Sequence, residues 1–152
     1  YGSFPHGDVP VEYGYLRQAH TDGDMYVFLP SDNILHTGGL VSSDAWPLMD
    51  WWTGGWIGGL VDGLETLLSI ANDNTLIVPA SGPVMTKAEL SAMRDMYAEI
   101  FSTVRGLFMK ASNVPETLAA KPAGAYETLY GNSEIFIELS HWSLIPHYTP
   151  DA

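Results

Sequence analysis

No cysteine occurs in the 152 residues, which removes disulfide frameworks and thiolate metal sites and leaves the redox compartment unreadable. Basic residues are nearly as scarce: 6 Lys and Arg stand against 18 Asp and Glu, a formal charge of −12. Phosphate backbones are held by clustered Lys and Arg, so this balance argues against nucleic acid as a partner and against anionic membrane surfaces. No apolar run approaches the roughly 20 residues that span a bilayer, which predicts a soluble chain, cytoplasmic or periplasmic, with the compartment open. The first residue is Tyr1, not Met, and no leader with a basic and an apolar region precedes it. The expectation is a processed product or a piece whose true start lies elsewhere.

What is present is enough for a core. Hydrophobic residues make up 46% and charged ones 16%, and the length predicts one domain over 1–152. The first 41 residues read as a small antiparallel meander. Val11, Tyr13 and Tyr15 alternate with polar or small residues. Met25 to Leu29 is an apolar run closed by Pro30-Ser31-Asp32-Asn33, Ile34 to His36 pairs back, and Leu40-Val41 is expected to continue the sheet. Ser42 to Trp52 is irregular. Ile57, Leu60, Val61, Leu64, Leu67 and Leu68 then fall on one helical face, and Thr75 to Val78 reads as a buried strand. Thr86 and Glu89 have capping-box spacing at the head of the longest helix. Pro115 opens a short helix that Pro122 ends, and a last helix is expected from about Ser133 to Ile145, stopped by Pro146. The pattern predicts an α/β (or α+β) class with a mixed sheet covered by helices on one face.

The candidate chemical residues are sparse. A catalytic zinc site needs three protein ligands and an open position, yet the five histidines are scattered and form no H-x-H or H-E-x-x-H cluster. Asp22 and Asp24 flank Gly23 and are acid/base candidates; the other reading is a turn with local backbone hydrogen bonds. The glycines from Gly54 to Gly59 lack the Lys-Ser/Thr of a phosphate loop. Trp46, Trp51, Trp52 and Trp56 are either core and loop packing or an exposed contact surface.

Three segments, Ala19-His20-Thr21-Asp22-Gly23-Asp24, His36-Thr37-Gly38-Gly39-Leu40 and Val78-Pro79-Ala80-Ser81-Gly82-Pro83, resemble in order and spacing the C-terminal half of the metallo-β-lactamase superfamily of zinc hydrolases. The resemblance runs from about Val11 to the end of the chain. It implies one half of an αββα sandwich. In that family the three segments carry a ligand His, a metal-bridging Asp and a second ligand His. Here only His20 matches: Gly39 stands at the bridging position and Ser81 at the second His. The H-x-H-x-D-H ligands belong to an N-terminal half absent from this sequence.

The expectations for function follow from those departures. The leading one is a non-catalytic or vestigial module acting through assembly or binding, with no cofactor. A homodimer through the open sheet face, or a missing N-terminal half, is the expected partner. The alternative is a zinc-dependent hydrolase half completed by another chain or an upstream segment, with Asp22, Asp24, His36 and Asp50 as further ligand candidates beside His20. A third is a small-molecule binder using the tryptophan-lined loop.

Overall fold

The computed structural model describes residues 1–149. Five strands form one sheet in sequence order: β1 (Gly2–His6), β2 (Val9–Tyr15), β3 (Met25–Leu29), β4 (Ile34–His36) and β5 (Leu76–Val78). The first three pairings are antiparallel and β4 with β5 is parallel, so the sheet is mixed. Gly7, at φ +62°, makes the tight turn between β1 and β2, a conformation that costs glycine nothing. Asn33, at φ +54°, closes the β3–β4 turn, and its Oδ1 accepts from Thr75 Oγ1 at 2.7 Å, which aligns β5 beside β4.

The parallel crossover from β4 to β5 contains α1 (Ile57–Ile70), whose buried Ile57, Leu60, Leu64 and Leu67 lie at helical spacing. Its glycines allow close approach: a Cβ on Gly59 would stand 1.8 Å from the Gln18 carbonyl oxygen. Any side chain there must push the helix off the β2–β3 connection. α2 (Lys87–Met109) starts at the foreseen capping box, with Thr86 N donating to Glu89 Oε2 at 2.7 Å and Glu89 N to Thr86 Oγ1 at 3.2 Å. α3 (Val114–Ala119), α4 (Glu127–Tyr130), α5 (Glu134–Ser143) and α6 (Ile145–Tyr148) complete the helical layer.

Two boundaries differ from the sequence reading. Leu40-Val41 does not continue the sheet; Gly38–Leu40 is a 3₁₀ turn. Gly38, at φ +59°, turns the chain away after β4, and Leu40 and Val41 sink into the core instead. The last long helix stops at Ser143, and Pro146 sits in the first turn of α6, where the missing N–H is not needed.

The strand registers sort the sheet into two unlike faces. Phe28, Leu35 and Ile77 lie side by side on one face, and the helices close over it. On the other, Tyr13, Val27, His36 and Val78 form one row across four strands. Phe4, Tyr15, Met25 and Leu76, also on that face, are each about half exposed. Helices therefore cover one face, and an apolar face is left in contact with solvent. No helix among the described residues is long and apolar enough to cross a membrane.

Candidate functional site

The loop joining β2 to β3 is built around a buried carboxylate. Asp24 is 4% exposed, and its Oδ2 accepts from the backbone N–H of His20 at 2.7 Å and of Thr21 at 2.9 Å. Its Oδ1 lies 2.7 Å from His20 Nδ1. Burial alone would raise the Asp24 carboxyl, but the His20 side chain and the two N–H groups outweigh it, so the group titrates below its ordinary value. The imidazole is thereby fixed in orientation with Nε2 on the far side of the ring from Asp24. Buried carboxylates orient metal-binding imidazoles in this way.

Asp22 takes no part in that arrangement. It is exposed and accepts a 2.6 Å hydrogen bond from Tyr15 Oη, the main reason that the Tyr15 hydroxyl titrates above its ordinary value. The two carboxylates of this loop are therefore held apart by different partners and share no hydrogen bond.

Gly39 is brought against His20. A Cβ built on Gly39 would fall 2.4 Å from His20 Cε1, 3.0 Å from Nδ1 and 3.1 Å from Nε2. The imidazole lies across the bare Cα, in the space that a side chain at this position needs. Ser81 is engaged elsewhere: its Oγ donates to Asp44 Oδ1 at 2.8 Å, and Ser42 Oγ donates to the same oxygen at 3.2 Å. The 41–43 and 80–82 segments are laced together by Ala80 N to Val41 O and Ser43 N to Ser81 O, both 2.9 Å.

His36 lies on β4 in the row of the open face, paired with Val27. Asp50 adjoins the His20 loop, its N–H donating to the His20 carbonyl at 2.8 Å, while its carboxylate faces the Thr53 N–H at 3.4 Å. Among the described residues no three His, Cys, Asp or Glu side chains come together to hold a metal ion. A zinc ion fits poorly here. One imidazole is presented, position 39 has no donor, and the hydroxyl at 81, a weak ligand for zinc, is spent on Asp44.

One feature was not singled out from the sequence. Asp44 organises Ser42 and Ser81, and only the i, i+2 spacing of Ser42 and Asp44 hints at it. The tryptophans divide: Trp46 stacks on Phe136 with centroids 5.0 Å apart and donates to the Gly131 carbonyl, and Trp56 stacks on His147 at 3.9 Å. Trp51 and Trp52 stack at 4.2 Å beside Trp142, with Trp52 82% exposed. This aromatic step stands next to the His20 loop through Asp50.

No family model matches the chain, and no curated protein matches it by sequence. Solved structures do match. A metallo-β-lactamase from Pontibacter korlensis aligns with a TM-score of 0.55 and 21% identity over 64% of this chain and 45% of that one. The stereoselective inverting sec-alkylsulfatase Pisa1 from Pseudomonas sp. aligns with a TM-score of 0.73 and 17% identity over 100% of this chain and 26% of that one. A double mutant of the sec-alkyl sulfatase PisA1 gives 0.71 and 16% over the same shares. The chain thus spans less than half the length of these structures. At such identities the likeness is one of fold, and this sheet with its helices is part of a metallo-β-lactamase fold.

Proposed function

We propose that this part of a metallo-β-lactamase fold is a non-catalytic module that works through assembly, with its open sheet face packed on the sheet of a second copy. The observation that carries the reading is the largely apolar uncovered face, where Tyr13, Val27 and Val78 share a row with His36. Five strands about 4.8 Å apart and roughly five residues long give a footprint of about 400 Å². Burying two such faces removes roughly 800 Å² from water, at the lower end for a specific interface, and the apolar part of that area is the driving force for association. Sheet-on-sheet packing about a two-fold axis is an ordinary way to cover such a face. The fate of the ligand positions fits a module without hydrolytic chemistry: His20 rests on Gly39, and Ser81 is tied to Asp44.

Sedimentation velocity at micromolar concentration tests this. The expected species is a dimer that Val27→Asp converts to a folded monomer, because Val27 lies on the open face and its replacement leaves the helical core untouched. A monodisperse monomer of the native chain, near 17 kDa, overturns the second copy as the covering partner.

A second reading is favoured by one observation, the buried Asp24 that orients His20 as a ligand. In it the chain is the weaker half of a zinc-dependent hydrolase, and another chain or segment supplies most ligands. Metal analysis separates the two. Assembly alone predicts loss of zinc on dialysis, whereas about one tightly held zinc per chain that disappears in His20→Ala supports the hydrolase.

A further inference from the structure

A cleft of about 350 Å³ opens beyond β5, between the Pro83–Met85 segment, α2 and α4. Its volume lies within the roughly 300–1,000 Å³ of small-molecule sites. Met85, Met93 and Met96 form its buried floor. Thioethers are polarisable and adapt to varied apolar shapes. Tyr126, Leu129 and Tyr130 make the wall, with Leu129 69% exposed.

The polar groups at the rim have one sign. Among the described residues Glu89 alone carries a formal charge in the lining of the cleft. Its Oε2 is engaged by Thr86 N at 2.7 Å and Thr86 Oγ1 at 2.9 Å, and those bonds hold the carboxyl below its ordinary value. Its Oε1 takes no hydrogen bond among the described residues. A second carboxylate, Glu99, accepts from Tyr126 Oη at 2.6 Å just behind the wall. Among the described residues no Lys, Arg or His lines the cleft, and Ser43 Oγ is committed to the Pro83 and Ser81 carbonyls at 2.9 and 3.3 Å. An anion therefore finds no cationic partner, only a tyrosine hydroxyl. A cation finds a carboxylate and two tyrosine rings, whose faces attract positive charge.

We propose that this cleft is a binding site for a small organic cation with an apolar tail, its ammonium head between Glu89 and the rings of Tyr126 and Tyr130 and its tail on the methionine floor. The site does not use the open sheet face, and Ser43 links it to the segment that carries Ser81.

Methyl-labelled methionine NMR tests it, with decyltrimethylammonium, decyl sulfate and the uncharged octyl glucoside as probes below their micelle concentrations. Saturable shifts are expected at Met85, Met93 and Met96 with the ammonium, and not at Met25 or Met109. Glu89→Gln keeps an acceptor for the helix cap, since Gln serves at this capping position. It should weaken the ammonium about 1.5- to fivefold, the usual range for an exposed charge pair, and leave octyl glucoside unchanged. Decyl sulfate should bind at least tenfold more weakly than the ammonium. Equal binding of sulfate or glucoside, an ammonium affinity indifferent to Glu89→Gln, or no saturable shift at the three methionines overturns the proposal.

Discussion

Replacing Gly39 by Ala separates a ring that merely lies near the glycine from one that depends on it. The added Cβ would stand 2.4 Å from His20 Cε1, well inside contact distance, so the imidazole must move. Free side-chain ends move cheaply, but this one is tied by its 2.7 Å bond to Asp24, which is almost fully buried. Breaking that bond strands a desolvated carboxylate oxygen at a cost of about 1–3 kcal/mol. Lower chain entropy in the unfolded state returns about 0.4–1 kcal/mol for Gly→Ala. The net expectation is destabilisation by about 1–2 kcal/mol, or a fall in Tm of roughly 2–8 °C for a chain of this length. Calorimetry and urea unfolding measure it, with the ¹⁵N signals of the His20 imidazole reporting the bond to Asp24. The control is Gly106→Ala in α2, where the new Cβ meets nothing within 4 Å. Because α2 is a helix, that change should stabilise by about 0.5–1 kcal/mol. A Gly39→Ala protein as stable as the native one, with unaltered His20 signals, refutes the reasoning.

Asp24→Asn should cost about 1–3 kcal/mol at neutral pH, because the two N–H groups lose a charged acceptor and the amide N–H can face Nδ1 only if His20 takes the Nε2–H tautomer; the urea midpoint measures it. Since the folded Asp24 titrates below its ordinary value, the stability it adds is full above about pH 4 and is lost as pH falls through the lower folded value, so the acid limb of a pH–stability curve should soften in that variant. Burial also lowers His141, whose Nδ1 meets Thr117 Oγ1 at 3.0 Å, and His147. Their contribution is complete above about pH 6.5 and declines as pH drops below it toward their folded values, and His141→Asn should flatten the decline without abolishing it. Thr86→Ala removes one half of the α2 capping box and should lower stability by about 0.5–2 kcal/mol in thermal melts.

Much of the fold was legible because periodicity and end signals are local. Alternation gave β2, the apolar run gave β3, the Thr86-x-x-Glu89 box placed the head of α2 at the correct residue, and the order of the three segments pointed to the metallo-β-lactamase fold. The errors fall where tertiary burial overrides local preference. Leu40 and Val41 have strand-like side chains, but Gly38 and Gly39 release them from the sheet into the core. At the candidate site, sequence supplied the residues but not their engagements. Nothing in the spacing of His20, Asp22 and Asp24 says which carboxylate turns inward; that depends on Tyr15 capturing Asp22 from the adjacent strand. The Ser81–Asp44 bond joins residues 37 apart in sequence and is invisible until β5 is laid beside β4.

The ring that leans on Gly39 also gives substitution at this position a direction. Trimming a side chain to hydrogen here opens room that an imidazole can enter by a simple rotation. Growing one back meets the imidazole already seated, and it can leave only by giving up Asp24. For single substitutions the step to glycine is smooth and the reverse step is steep, so the position works as a ratchet. Placing a ligand side chain at position 39 demands a coordinated second change around His20.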